Sequence, residues 1–441
     1  MELRGYQERV LCDLQAAFAA GHAGAVLELG TGAGKTVTAA ALVSGATAAG
    51  ERVLWLAHRR ELVDQALAAL RGRGLEQGDR LQVRTCQGRL DETFRPDLIV
   101  VDEGHRAMAP TYRRVFSRWP MARRVLLTGT ALRTDGQRLA EVASAHVRGP
   151  SVGELTRDGW LVPARYWAVP GADLSALPRP IRGDFRPADL SAVFDRPEVT
   201  GDVAATYARL ARGRIGVVFA ASVAHAGRVA VELRRLGVPA AVVHGNTPRR
   251  ERAALLELHQ LGDLQVLCCA DLLVEGWDHP ALGAVSFARA TTSPIVWRQG
   301  VGRLLRTHEG KRDGLVLDHG GNVFRHGPVE DDLEDDLPAQ RGRPGRVALP
   351  LLTCAACFAV MRSVPRPLTC PRCHELVEAP KGRVVNETRG ELAEVEAPKK
   401  QKKQAVDWRL WREIDADRER RGYRPGWTWT QYALRASCKE W

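Results

Sequence analysis

Lys35 and Thr36 end the stretch AVLELGTGAGKT, residues 25–36. An ammonium and a hydroxyl directly after a glycine-rich turn are the groups that hold a polyphosphate and its metal. The apolar run before the turn reads as a buried strand. Gly30, Thr31, Gly32, Ala33 and Gly34 let the backbone curl so that successive N–H groups face one anion, and a helix starting near Lys35 adds its positive end. In that arrangement Lys35 reaches the β- and γ-phosphates of ATP and Thr36 ligates Mg²⁺. Leu29 stands where the strict pattern has a small residue. The rival reading is a glycine turn without a ligand. A second acidic signal follows at Asp102-Glu103, where LIVVD (98–102) ends in two carboxylates. Asp102 suits a metal held through water, and Glu103 suits the base that activates the attacking water.

These side chains need a frame. RVLWLA (52–57), LIVVD and RVLLT (124–128) read as strands, and RRELVDQALAAL (59–70) as an amphipathic helix. Strands alternating with helices imply a parallel, helix-covered sheet with its ligand at the carboxyl ends of the strands. Upstream, LRGYQERVL (3–11) holds Arg4, Tyr6 and Gln7. A Gln amide donates and accepts at once, which fits the edge of adenine; the same residues also read as an ordinary helix surface.

A second alternating series runs through IGVVFA (215–220), AAVVH (240–244), LQVLCCA (264–270), GAVSFA (283–288) and GLVLD (314–318), with no second phosphate loop. WRQGVGRLLR (297–306) spaces Gln299, Gly302, Arg303 and Arg306 three and four apart, so a helix would place them on one face. Guanidinium groups match the charge that spreads over a γ-phosphoryl group, a contribution of about 10³ to 10⁵ in rate.

VVDEGHRA (100–107) resembles the DEAH-type box of superfamily 2 helicases, with Gly104 in place of Ala or Cys, and LTGTALR (127–133) resembles that family's third motif. WLAHRRELVDQ (55–65) is similar to a strand-contact motif, VFAASVAHA and VVHGNTP to those of the second domain, and ADLLVEGWDHP to the fifth motif. The resemblance implies that His105, Thr128, Gly129 and Thr130 couple the ATP site to nucleic acid. It assigns Gly276, Asp278 and Gln299 to the nucleotide, and His58, Arg59, Arg60, Thr85, Gln87, Ser222, His244 and Gly245 to the strand. Arg59 and Arg60 read equally as a solvated helix start. VVFAASVAHA, DGWLVP, LDHGGN (317–322) and the cysteine cluster resemble the RadD-like branch of bacterial and phage proteins.

Cys354-x₂-Cys357 and Cys370-x₂-Cys373 have the spacing of a structural zinc site; disulfides are the rival. The segment after them carries PKKQKKQ and Trp408, Trp411, Trp427, Trp429 and Trp441, either a small packed unit or a stacking surface for bases. The 441 residues carry a net charge of +12, which favours a polyanionic partner, nucleic acid before membrane. With no long apolar run and no leader pattern, a cytoplasmic location is expected.

The expected architecture is α/β, with two tandem RecA-like parallel-sheet domains at 1–155 and 201–328 and a connector at 156–200, of which 171–200 is poorly periodic. A linker at 329–348, a zinc ribbon at 349–378 and a basic Trp-rich tail at 379–441 complete it. The expected activity is that of an ATP- and Mg²⁺-dependent DNA helicase or translocase in repair, recombination or replication. An RNA-directed helicase and an ATP-switched scaffold are the rivals, and a single-stranded-DNA-binding protein is a candidate partner.

Overall fold

A computed structural model describes residues 2–88, 91, 93–129, 139–168, 184–270, 279–331, 351–362 and 368–377, with 413, 415–417 and 420 beyond them. The chain divides into two units, Met1–Asn386 and Glu387–Trp441. Thr130, Gly276, Asp278 and the five C-terminal tryptophans lie outside the described residues.

The first unit contains two six-stranded parallel sheets. In the first, β1 (Gly24–Glu28), β2 (Val53–Ala57), β3 (Leu81–Thr85), β4 (Leu98–Val101), β5 (Arg123–Thr128) and β6 (Ala145–Arg148) run in the order β3-β2-β4-β5-β1-β6. The second takes β7 (Ala164–Ala168), β8 (Gly216–Ala220), β9 (Ala240–Val242), β10 (Val266–Cys269), β11 (Ala284–Ala288) and β12 (Gly314–Asp318) in the order β7-β12-β11-β8-β10-β9. Every ladder in both is parallel. The strands read as continuous apolar runs because each feeds two layers. Val53, Trp55 and Ala57 of β2 enter one buried cluster, while Leu54 and Leu56 enter the cluster on the opposite face with Tyr112 and Phe116. Val217 and Phe219 of β8 likewise face one way, and Val218 and Ala220 the other.

The cluster containing Val53 and Trp55 also contains Val217, Phe287 and Trp297, so one apolar layer is continuous across both sheets. Lys35, Asp102 and Glu103 follow β1 and β4, Thr128 ends β5, and Ser222 and Gln299 follow β8 and β11, so these candidates gather at the carboxyl ends of the strands, as parallel sheets require. The structure changes the reading of the connector in two ways. Ala164–Ala168, inside the expected connector, pairs with β12 along the edge of the second sheet. The poorly periodic stretch contains the helix Pro187–Phe194 and the start of the helix Pro197–Leu210. Proline in the first turn of each supplies the start signal that periodicity misses. β3 and β6, the two edge strands of the first sheet, were not read in the sequence.

A pair of two-stranded hairpins carries the four cysteines. β13 (Leu351–Thr353) pairs antiparallel with β14 (Val360–Arg362), and β15 (Leu368–Thr369) with β16 (Leu376–Val377). They pack on the outer face of the second sheet, where Leu352, Cys354, Ala359 and Cys370 share a buried cluster with Trp167. The Ala168 N–H donates to the Phe358 carbonyl at 3.2 Å, so the module extends the β7 edge. No helix among the described residues is long and apolar enough to cross a membrane.

Candidate nucleotide site and nucleic-acid face

The loop between β1 and the helix Lys35–Ala48 turns through Gly32 (φ +89°) and Gly34 (φ +77°), the left-handed region in which a side chain is costly. A side chain would also displace its neighbours. A Cβ at Gly34 would stand 2.6 Å from Gln7 Nε2, and one at Gly32 would stand 2.9 Å from Leu161 Cδ2. Leu29, the departure from the strict pattern, is fully buried, and its Cδ2 occupies the space a Cβ of Gly149 would need. The extra bulk is thus absorbed by a glycine after β6 and leaves the loop intact.

Tyr6 and Gln7 serve this loop directly. Tyr6 Oη donates to the Ala33 carbonyl at 2.9 Å, and Gln7 Nε2 lies 3.4 Å from the Ala33 and Gly34 carbonyls. Gln7 Oε1 accepts from the Arg4 N–H at 2.9 Å. Both Tyr6 and Gln7 are buried, so an open helix surface is not what they form. The Arg4 guanidinium stacks on Trp160 at 4.6 Å, with Tyr6 edge-on to the same ring. Trp160 was not singled out in the sequence, where it is one of several aromatics in the connector.

Lys35 points towards Gly129, where a Cβ would lie 3.0 Å from Nζ. Burial draws the Lys35 ammonium below its ordinary pKa, opposed by the charges of Glu103 and Asp102 and assisted by Arg306 and Arg303. The charges of Glu103, Asp102, Arg306 and Arg303 thus all reach Lys35. Burial and the adjacent Glu103 push the Asp102 carboxyl up to about 7, while Lys35 and His58 pull the other way. His58, expected at the strand, thus lies within electrostatic reach of the acidic pair.

Glu103 has φ +51°, an uncommon conformation for a residue with a side chain, and its carboxylate is buried. One oxygen accepts from Gln299 Nε2 at 3.1 Å and lies 3.3 Å from His105 Nδ1. The Gln299 bond crosses from the second lobe to the first. Gly104, the departure from Ala or Cys, has a physical cause: a Cβ there would stand 2.7 Å from Leu126 Cβ and 2.8 Å from its carbonyl carbon on β5. Thr128 is buried at the end of β5, where its carbonyl accepts from Leu29 N at 3.0 Å.

The helix expected to carry Gln299 to Arg306 on one face ends earlier. It spans Pro294–Gly302, continues as a 3₁₀ turn over Arg303–Leu305, and reaches Arg306 in extended conformation. Here Arg306 pairs with Leu161 as a bridge, and Val162 N donates to the Leu305 carbonyl at 2.8 Å. Backbone pairing with the connector thus replaces the last helical turn and still leaves Arg303 and Arg306 acting on Lys35. Gly302 abuts the loop, since a Cβ there would be 2.3 Å from Thr31 Cβ.

On the other rim, Arg59 precedes the helix Arg60–Arg71, and Arg60 pairs with Asp64 at 3.7 Å. Thr85 closes β3, and Gln87 is exposed in the turn after it. Ser222 caps the helix Val223–Arg235 by accepting from His225 N at 3.1 Å. Arg252 donates to the His244 and Gly245 carbonyls at 3.3 and 2.9 Å, and its other nitrogen lies 3.7 Å from Glu61. The two lobes' strand-candidate segments therefore adjoin at this rim.

The four cysteine Sγ atoms lie within 4.8 Å of one another, the nearest pairs at 3.5 and 3.6 Å. A disulfide needs about 2.05 Å. Four thiolates around one zinc, at about 2.3 Å each, stand roughly 3.8 Å apart. The turns match each other: Phe358 and His374, each directly after the second cysteine of its pair, have φ of 60° and 61°. His374 supplies backbone shape here.

Residues 1–90 match the family "Type III restriction enzyme, res subunit" and residues 202–308 match "Helicase conserved C-terminal domain". A 51.5 kDa protein of a Lactococcus phage (isolate 7-9) is 30% identical over 298 residues, 67% of this chain and 65% of that protein. A Schizosaccharomyces pombe protein named as a mitochondrial ATP-dependent helicase, irc3, is 28% identical over 352 residues, 72% of this chain and 57% of its own length. The chain thus spans less than two thirds of these relatives. Among solved structures, a fragment of an HsdR-type subunit of a type I restriction enzyme from Vibrio vulnificus superposes with a TM-score of 0.57 at 21% identity, over 74% of this chain and 65% of that one. The Type ISP restriction-modification enzyme LlaBIII, bound to DNA, superposes at 0.54 with 17% identity, over 72% of this chain and 28% of that one. At such identity the likeness is one of fold.

Proposed function

We propose that this chain, which belongs to helicase superfamily 2, is a nucleic-acid-stimulated ATPase that couples closure of its two lobes to movement along or remodelling of DNA. The observation that carries this reading is the 3.1 Å hydrogen bond from Gln299 to Glu103 across the lobe boundary, with Arg303 and Arg306 both acting electrostatically on Lys35.

ATP is the substrate in this reading, and the residues suit it. The loop turns its backbone through two left-handed glycines beside a buried ammonium, the geometry of an anion cradle. Lys35 binds the terminal phosphates, while Asp102 and Thr36 would hold Mg²⁺, which when bound neutralises phosphate charge. Glu103 takes the proton of the attacking water. Gln299 orients that carboxylate through Nε2, and its buried Oε1, without a partner among the described residues, is left to accept from the water. Arg303 and Arg306 stabilise the spreading negative charge, and only in the closed arrangement. Gly129, directly after β5, lies against Lys35 Nζ and so is placed to sense the phosphate end. Arg4, Tyr6 and Gln7 set the loop and flank the base, with Trp160 beside them.

The strand lies along the rim of Arg59, Arg60, Thr85, Gln87, Ser222, His244 and Gly245. DNA is preferred to RNA on the RadD-like resemblance, which also suggests repair or recombination and a single-stranded-DNA-binding protein as partner. The Cys₄ module takes structural Zn²⁺, since four thiolates fill its coordination. Lys35→Ala and Glu103→Gln, assayed for ATP hydrolysis with DNA and with RNA, test the assignment. Both should lose stimulated hydrolysis, Glu103→Gln while still binding ATP. Wild-type turnover in either variant refutes it.

A further inference from the structure

The short segment Val329–Asp331, between the second sheet and the cysteine module, is held on four sides. On the first, Tyr166 Oη of β7 donates to Glu330 Oε2 at 2.7 Å and accepts from Val329 N at 3.0 Å. On the second, the Ala164 N–H donates to Glu330 Oε1 at 3.1 Å while a Cβ at Gly153, in the first lobe, would meet the Glu330 carbonyl at 2.8 Å. On the third, Arg298 donates to the Val329 carbonyl at 2.9 Å and to the Asp331 carbonyl. On the fourth, the Asp331 carboxylate pairs with Arg362 of β14. Arg298 directly precedes Gln299 in the helix Pro294–Gly302, and the neighbouring Trp297 donates to the Gly327 carbonyl at 2.9 Å. Val329 and Arg298 line the same small cavity as Thr31, Gly129 and Gly302, at the phosphate end of the loop.

A guanidinium that spends two donors on the backbone of one segment fixes the rotation of its own helix relative to that segment. The segment is in turn fixed to the cysteine module by one carboxylate and to β7 by another. We infer that Val329–Asp331 is a strap that sets the position of the helix presenting Gln299, Arg303 and Arg306, with Arg298, Asp331 and Arg362 as positioning residues. The Cys₄ module is through it a mechanical part of the hydrolysis site. This rests on the assignment of Arg303 and Arg306 to ATP hydrolysis.

Hydrogen-exchange mass spectrometry on the full chain, with ATPase kinetics and metal content measured in parallel, tests it with Arg362→Gln and Asp331→Asn. In each variant, exchange over residues 294–306 should rise about tenfold, with residues 24–48 unchanged. kcat should fall roughly three- to tenfold with KM for ATP held. The reversed pair, Asp331→Arg with Arg362→Asp, should restore both. Wild-type protection of 294–306 in both single variants overturns the strap. So does a change confined to the cysteine-bearing peptides with loss of metal, because the contact would then serve the module's own folding. If the wild-type chain shows no stimulated ATPase, the hydrolysis assignment fails by itself, and the exchange measurement still decides the strap.

Discussion

Gly302→Ala isolates the closed arrangement of the lobes. A Cβ at position 302 would lie 2.3 Å from Thr31 Cβ and 2.4 Å from Thr31 Cγ2. Carbon atoms rest at about 3.5–4.0 Å, so the lobes must part by roughly 1.2–1.7 Å at this point. Neither backbone can yield easily: Thr31 sits between constrained loop residues, and Gly302 ends a helix whose Trp297 is fully buried. Misplacing reacting groups by about 1 Å costs on the order of 10²-fold in rate, or about 2.7 kcal/mol. The second lobe itself has no reason to suffer. Gly302 has φ −60° and ψ −23°, ordinary helical values, and alanine is favoured over glycine there by about 1 kcal/mol. The expected result is a kcat about 100-fold lower, ATP affinity nearly unchanged, and a melting temperature equal to or above that of the parent. Adding Thr31→Gly removes the opposing carbons and should recover much of the rate. Stimulated turnover within about threefold of wild type in folded Gly302→Ala would refute the claim that hydrolysis needs this contact.

Gly104→Ala should cost about 1–3 kcal/mol in urea unfolding, since its Cβ meets the β5 backbone at Leu126 and not a movable side chain; a loss under about 0.5 kcal/mol contradicts the packing. His225 is held to about 4 by burial, with Asp195 opposing and Arg228 and His319 assisting, so it is neutral when folded. Its stabilising contribution is complete above the unfolded value of about 6.5 and is lost as pH falls towards 4. His225→Asn keeps an acceptor for the Ala221 N–H and should gain on wild type by about 1.4 kcal/mol per pH unit below about 6.5; a constant difference in stability from pH 7 to 5 rejects this. The purified chain should carry one zinc per molecule, and Cys370→Ser should lose it and expose Trp167, seen as metal release and altered fluorescence. A metal-free, fully folded wild type would rule that out.

Much of the site was legible in the sequence because it depends on short-range chemistry. A glycine-rich turn ending in Lys35-Thr36 can hold phosphate only after a strand and before a helix, and the structure starts that helix at Lys35. Two apolar alternating series implied two parallel sheets, since strands buried on both faces cannot be polar. The paired cysteines were recognisable because ligand spacing is local, and their four sulfur atoms converge. Contacts made over long sequence separations could not be read. Gly104 depends on Leu126, Leu29 on Gly149, and Gly302 on Thr31, and no local pattern relates such pairs. The segment Ala164–Ala168 has the same apolar look whichever sheet it joins, and only the β12 ladder assigns it to the second. Helix length is another such case. Spacing alone extended the helix to Arg306, whereas pairing with Leu161 ends it at Gly302. The amino-acid sequence by itself therefore named the candidate groups and most of the elements that carry them. The tertiary structure alone decided which groups meet across the lobes, because those meetings depend on shape at distances of a few ångströms between residues far apart in the chain.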